Sequence, residues 1–340
     1  MRTNKFLLIA LATAGMFTAC SNDDEVVMNQ GNEISFRVQG GAPELRTTAT
    51  TKENVDAFVV YGADYVTTPN PNIFDGITVA RQVDGSFDYN PKKYFATGAT
   101  TSQFAAFSPV STLVTSPSFA YGTGLSFNYE VPAPDAVHGK TTQEDLLVAG
   151  TTFATIVAGT KVNFDFKHAL SRIFVKATSE LSETVTIREL TLMNLQPSGT
   201  ITGAAPWTWP ALWEWTPTGS KTPYSYALAP SGVAVPAGLA TATLITSMEQ
   251  GMMVIPQEVG IADPTPNPTP DADDFALKVV YDVANLPGEE AYIYLENGYE
   301  FEMGKQYAIT IAFTADNLIE VNFEIKVSGF EDIADALLVP

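Results

Sequence analysis

Cysteine, histidine and positive charge are all scarce in this chain of 340 residues. It has one cysteine, Cys20, and two histidines, His138 and His168. A lone thiol forms no intramolecular disulfide, so a cross-linked scaffold is excluded, and a zinc site would lack ligands. Lysine and arginine total 18 against 38 aspartates and glutamates. So acidic a chain, with no cluster of cations, is a poor match for nucleic acid or anionic lipid. No G-x-S-x-G elbow is present to expose a serine nucleophile. Long amphipathic helices are missing as well, and residues 142–146 and 167–171 allow single turns at most. Together these absences leave little material for an enzyme, a cofactor or a metal centre.

What the chain does have begins at its first residues. Arg2 and Lys5 precede an apolar stretch, residues 6–17, broken only by Thr13 and Gly15, and Thr18-Ala19-Cys20 closes it. The stretch is too short for a permanent membrane span, and the layout is that of a secretory signal. A small residue before the cysteine suits a lipoprotein signal peptidase, although Phe17 stands where leucine is usual. The expectation is removal of residues 1–19 and diacylation, palmitate included, at Cys20, since two acyl chains anchor stably where one does not. Asp23, Asp24 and Glu25 follow within an acidic tether, residues 20–32. This short acidic run resembles the surface-export signal of Bacteroidetes lipoproteins, and like charge would keep it extended from an anionic leaflet. Without Arg2 and Lys5, 16 basic residues remain against 38 acidic ones, a net charge of about −22.

The body of the chain reads as strands. Its hydrophobic fraction of 45% supports a sizeable core, and about 320 mature residues suggest two domains. Residues 34–38 alternate apolar and polar, and 55–61 form a strongly β-prone run. Further strands are expected at 74–83, 102–108, 125–131, 145–149, 162–166 and 173–177. After a polar break at 178–184 come 185–192, 242–246, 251–255, 276–281, 291–295, 306–313 and 318–327. Turn residues punctuate them closely, which favours a sandwich over βαβ units. The break sets the domain plan: an N-terminal β-sandwich at 33–180 and a C-terminal one at 181–340.

Several residues invite a chemical role. His168 needs a Cys, Asp or second His beside it to act as ligand or base, and a histidine satisfying local backbone groups is the plainer account. Trp207, Trp209, Trp213 and Trp215 alternate in pairs, so each pair would share one side of a strand and offer a platform for glycan stacking; core filling or a subunit contact serves equally. The acidic loop at 271–274 lacks the spacing and glycine of a calcium loop. Tyr121-Gly122-Thr123-Gly124 is followed by no helix signal, which argues against phosphate binding.

Five segments in order resemble the fimbrillin family, the Mfa-like and FimA-like subunits of Bacteroidetes type V pili. They are Asp145-Leu146-Leu147-Val148-Ala149, Phe166-Lys167-His168-Ala169-Leu170-Ser171-Arg172-Ile173, Met253-Val254-Ile255-Pro256-Gln257, Met303-Gly304-Lys305-Gln306-Tyr307, and the stretch 327–332. The resemblance implies an all-β fold of two tandem transthyretin-like sandwiches and a structural role without catalysis. It implies a pilin at the outer membrane surface and in the fimbrium, partnered by further copies and by tip or anchor subunits, with adhesion to a host or bacterial receptor as the output. It also implies strand donation, in which a C-terminal segment fills a groove that the neighbour's first strand has left. Val321, Phe323, Ile325 and Val327, on one face of an alternating run, are the candidate donor residues. Arg46-Thr47, in a Thr-rich loop after the first strand, is the candidate protease site, because exposed loop tips are where nicking concentrates. Within the same resemblance an anchor or tip subunit is the alternative; outside it, a glycan-binding surface lipoprotein.

Overall fold

The computed structural model describes residues 32–38, 55–69, 71–133, 143–153, 156, 159–205, 207, 213–226, 228–246, 251–260, 270–271, 274–295, 298–314 and 322–329, and no α-helix occurs among them. The first strands are β1 Ser35–Val38, β2 Ala57–Tyr65, β3 Phe74–Arg81, β4 Phe87–Asp88, β5 Thr101–Ser108, β6 Val114–Ala120, β7 Gly124–Glu130 and β8 Leu147–Phe153. Next come β9 Lys161–Phe164, β10 Lys167–His168, β11 Ser171–Ser179, β12 Val185–Leu195, β13 Ser198–Ala204, β14 Trp213–Thr218, β15 Thr222–Tyr226 and β16 Val233–Val235. The last are β17 Leu239–Leu244, β18 Met252–Val254, β19 Gln257–Val259, β20 Ala276–Val283, β21 Leu286–Tyr294, β22 Tyr299–Phe301, β23 Lys305–Phe313 and β24 Asn322–Gly329.

Strand β2 shows how the layers arise. Seven of its nine residues are buried, which a strand with one wet face would not allow. Phe58 and Val60, with Phe104 and Ala106 of β5 and Leu147 and Ala149 of β8, enter one core cluster. The alternate residues Val59, Tyr61, Ala63, Ala105, Phe107 and Val148 enter another. The six-stranded sheet, in order β10-β8-β5-β2-β3-β4, is thus a middle layer. On one side lies the pair β1-β9; on the other lies the sheet β14-β13-β7-β6.

The C-terminal residues build a two-sheet sandwich. Its sheets are β17-β11-β23-β24, with β18 also on β11, and β15-β12-β20-β21, with β16 also on β12. Ile173, Val175, Tyr307, Ile309 and Ile311 of the first meet Ile187, Leu190, Leu192, Val279 and Tyr281 of the second in one core cluster. β11 and β23 lie parallel through eight paired positions, Arg172↔Gln306 to Ser179↔Phe313.

Some elements differ from expectation for visible reasons. β6 is hidden in the sequence by Pro117 and by Ser116, whose φ of 51° interrupts the ladder. β13, Ser-Gly-Thr-Ile-Thr-Gly-Ala, has almost no apolar alternation, yet it pairs on both edges with β7 and β14. Residues 167–171 make no helical turn, because Lys167 and His168 pair with β8. The β7–β13 ladder joins Glu130↔Ser198 through Gly124↔Ala204, so one sheet contains strands from both sides of residue 180.

Candidate functional site: the first strand and its aromatic cage

The strand β1 is short, but its setting is unusual. It runs parallel to β9, with Ser35↔Lys161, Phe36↔Val162, Arg37↔Asn163 and Val38↔Phe164 as register partners. Among the described residues β9 pairs with no other strand. Just before β1 the Ile34 amide donates to the Lys93 carbonyl at 2.9 Å, and the Phe95 amide donates to the Asn32 carbonyl at 3.1 Å.

Side chains hold β1 more firmly than this backbone pairing suggests. Ile34 is fully buried and Phe36 is 5% exposed. Five rings surround Phe36, with centroid distances of 5.2 Å to Phe74, 5.5 Å to Tyr89, 5.9 Å to Phe58, 5.9 Å to Phe164 and 6.3 Å to Phe104. Phe164 stacks on it, and the other four meet it edge-on. Each such pair adds about 0.5–1.5 kcal/mol beyond area burial. Gly62 is required in the adjoining β2, since a Cβ there would collide with the Phe104 ring.

Tyr89 latches the strand. Its hydroxyl donates to the Ile34 carbonyl at 2.6 Å and accepts from the Lys93 amide at 3.2 Å. Burial pushes its phenol up to about 12, so it stays a neutral donor at physiological pH. At the exposed margin Lys92 Nζ lies 2.6 Å from Asp88 and 2.8 Å from Glu33, hydrogen bonds that hold its ammonium above the usual lysine range. Loss of residues 34–38 would uncover a slot lined by Phe58, Phe74, Tyr89, Phe104 and Phe164, beside the unpaired edge of β9.

At the other end of the chain, β24 runs antiparallel to β23 from Lys305↔Gly329 to Ala312↔Asn322. Phe323, Ile325 and Val327 stand opposite Ile311, Ile309 and Tyr307, all core residues of the C-terminal sandwich. Ile325 is half-buried against that core. The segment expected to donate therefore closes its own sheet in this structure, with β23 as its one neighbour among the described residues.

Three tryptophans are described, Trp207, Trp213 and Trp215, and all three are packed. Trp213, in β14, is 6% exposed and stacks with Trp207 at 5.3 Å. Trp215 donates its indole N–H to the Ala169 carbonyl at 2.6 Å. Gly203 makes room for this arrangement, since a Cβ there would meet both the Trp207 and Trp213 rings. Trp207 is outside any strand, so the expected pairing of Trp207 with Trp209 on one strand face does not arise from it.

His168 has a partner that the backbone account omitted. Its Nδ1 lies 2.9 Å and 3.0 Å from the two carboxylate oxygens of Asp145. Nearby, Arg172 is fully buried and donates to Gln306 Oε1 at 2.7 Å; burial lowers its guanidinium to about 10, while Asp145 opposes that shift. In the acidic loop, Asn194 donates to the carbonyls of Asp271 and Asp274 at 2.7 Å each. Among the described residues no group of three or more His, Cys, Asp and Glu is placed to hold a metal. Residues 121–124 form the β6–β7 turn, where the Gly122 amide donates to Gln103 Oε1 at 2.7 Å.

Cys20, Asp23, Asp24, Glu25, Arg46, Thr47, His138, Trp209 and Val321 lie outside the described residues. Sequence reasoning found β1 and missed its cage. The available signal was the number of phenylalanines in 58–166, but nothing local shows that five rings converge on one.

Comparison with known proteins agrees with this architecture. A fimbrial protein from Bacteroides vulgatus superposes with a TM-score of 0.59 at 14% identity, covering 88% of this chain and 99% of that one. A candidate cell adhesion protein from Bacteroides uniformis gives 0.52 at 18% identity, covering 88% and 99%. At these identities the likeness establishes the fold. No curated protein matches the sequence. Fold and cage together define a class of all-β sandwich proteins. The chain belongs to the fimbrillin-like family, whose model matches residues 46–327. It is accordingly a structural fimbrial subunit that works at the cell surface in assembly with other subunits.

Proposed function

We propose that this subunit is a pilin, polymerised after proteolysis by exchange of its first strand for a neighbour's C-terminal strand. The observation that carries this reading is β1: four ladder pairs, one partner strand among the described residues, and an inward face that fills an aromatic slot. Export would use the lipid on Cys20 and the tether Asp23-Asp24-Glu25, placing the precursor on the outer face of the outer membrane. An Arg-specific protease cutting between Arg46 and Thr47 would free β1. The donor, Val321, Phe323, Ile325 and Val327, would then enter, each large side chain adding roughly 1.5–3 kcal/mol of burial. An uncut precursor stays monomeric because its own strand occupies the slot at high effective concentration. Two tandem transthyretin-like sandwiches and adhesion to a receptor complete the reading.

The test is limited Arg-specific proteolysis of the purified mature chain. A fragment beginning at Thr47 should appear, and SDS-resistant ladders should follow. Cleavage at Arg46 without polymer at high concentration would transfer the chain to an anchor or tip role. In cells, Cys20→Ala should abolish palmitate labelling. Alanine at Asp23, Asp24 and Glu25 should keep labelling yet reduce access of an external protease.

A further inference from the structure

The order of side chains at the two ends of the chain carries an inference about orientation, which rests on the strand-exchange reading above. The cage holds Ile34, Phe36 and Val38 in that order, with Ile34 and Phe36 buried and Val38 packed at the edge of the same cluster. The C-terminal run reads Val321-Asn322-Phe323-Glu324-Ile325. Taken backwards it presents Ile, Phe and Val at the same spacing of two. We propose that the donor enters the β1 slot antiparallel to β9, opposite to the strand it replaces, with Phe323 in the place of Phe36, Ile325 in that of Ile34 and Val321 in that of Val38.

Two physical features select this register. Side chains on one strand face recur every second residue, so a slip by one would turn Phe323 out of the cage. Phe323 is the only aromatic residue between 314 and 329, and the Phe36 site is bounded by five rings. A parallel entry also centres Phe323, but it puts valine into the fully buried Ile34 site and leaves it a methylene short. The charges favour the same orientation. Ser35 is the register partner of Lys161, so an antiparallel donor sets Glu324 opposite that exposed ammonium, where a parallel one sets Asn322. The opposing term is Lys326, which arrives beside Lys92 in the place of Glu33; Asp88 remains 2.6 Å from that ammonium.

The experiment uses the mature chain carrying Cys20→Ser and Lys161→Cys, so that position 161 holds the sole thiol. It is cleaved by an Arg-specific protease with synthetic peptides of residues 318–329 that contain either Glu324→Cys or Asn322→Cys. The expected result is suppression of ladders by both peptides and a disulfide at position 161 at least tenfold more abundant with Glu324→Cys. A third peptide, Phe323→Ala, should need at least tenfold more material to suppress ladders. Preferential capture of Asn322→Cys, or equal capture, overturns the orientation and leaves the pilin reading standing. Ladders that no peptide suppresses overturn the assigned donor. Cleavage without ladders in the absence of peptide overturns the pilin reading itself.

Discussion

The first and last strands are paired to different extents. β1 has four register pairs with β9, and its inward residues sit among five rings. β24 has eight pairs with β23, and Ile325 is only half-buried. Side-chain burial dominates the first; the second has the longer ladder, and its one described side chain, Ile325, packs on the core. A strand held by side chains in a preformed slot leaves behind a surface that discriminates by shape. A strand held by a ladder leaves behind only an edge, which any extended chain can pair.

The most severe test of that contrast is Phe36→Ala. Truncating a buried phenylalanine costs about 3–5 kcal/mol, so the precursor should unfold at clearly lower denaturant concentration. A loss below about 1 kcal/mol would mean that the cage is not what retains β1. Ile325→Ala should cost less, about 1–2 kcal/mol in the same measurement, because the side chain is already half open. An equal loss at the two sites would erase the difference between the strands.

Tyr89→Phe removes the latch while keeping the ring. It should cost about 1 kcal/mol and release β1 faster after cleavage, seen as earlier ladders or quicker digestion of the N-terminal fragment. Tyr89 also sets a direction with pH. Its folded pKa lies above the unfolded value near 10, so its contribution is fully present below about 10 and is lost as pH rises through about 12. The difference in stability between parent and Tyr89→Phe should therefore shrink at strongly alkaline pH. The smallest effect belongs to Lys92→Ala, expected to be nearly neutral in thermal unfolding, since its ion pairs are exposed and screened.

Where apolar alternation was strong, sequence and structure agree closely. The expectations at 34–38, 102–108, 276–281 and 306–313 overlap β1, β5, β20 and β23. Agreement failed where strands are polar or interrupted. β13 carries almost no apolar side chains on its outer face, and β6 contains a proline and a residue at positive φ. β21 begins at Leu286 instead of 291, because its first three residues are exposed and show no alternation. For His168 the partner is Asp145, 23 residues away in sequence, which no local pattern announces.

By itself the sequence determined the all-β class, the family and the existence of an apolar first strand, because period-two patterning and short motifs are local properties. Its ends also contain the I-x-F-x-V order and its reverse, which need no structure to read. Only the tertiary structure decided that Phe36 is ringed by Phe58, Phe74, Tyr89, Phe104 and Phe164, that β9 has β1 as its described partner, and that β7 and β13 share a sheet across residue 180. Those are pairings between residues tens of positions apart. They are settled when both faces of the middle sheet must be buried at once, a condition that no short window of sequence contains.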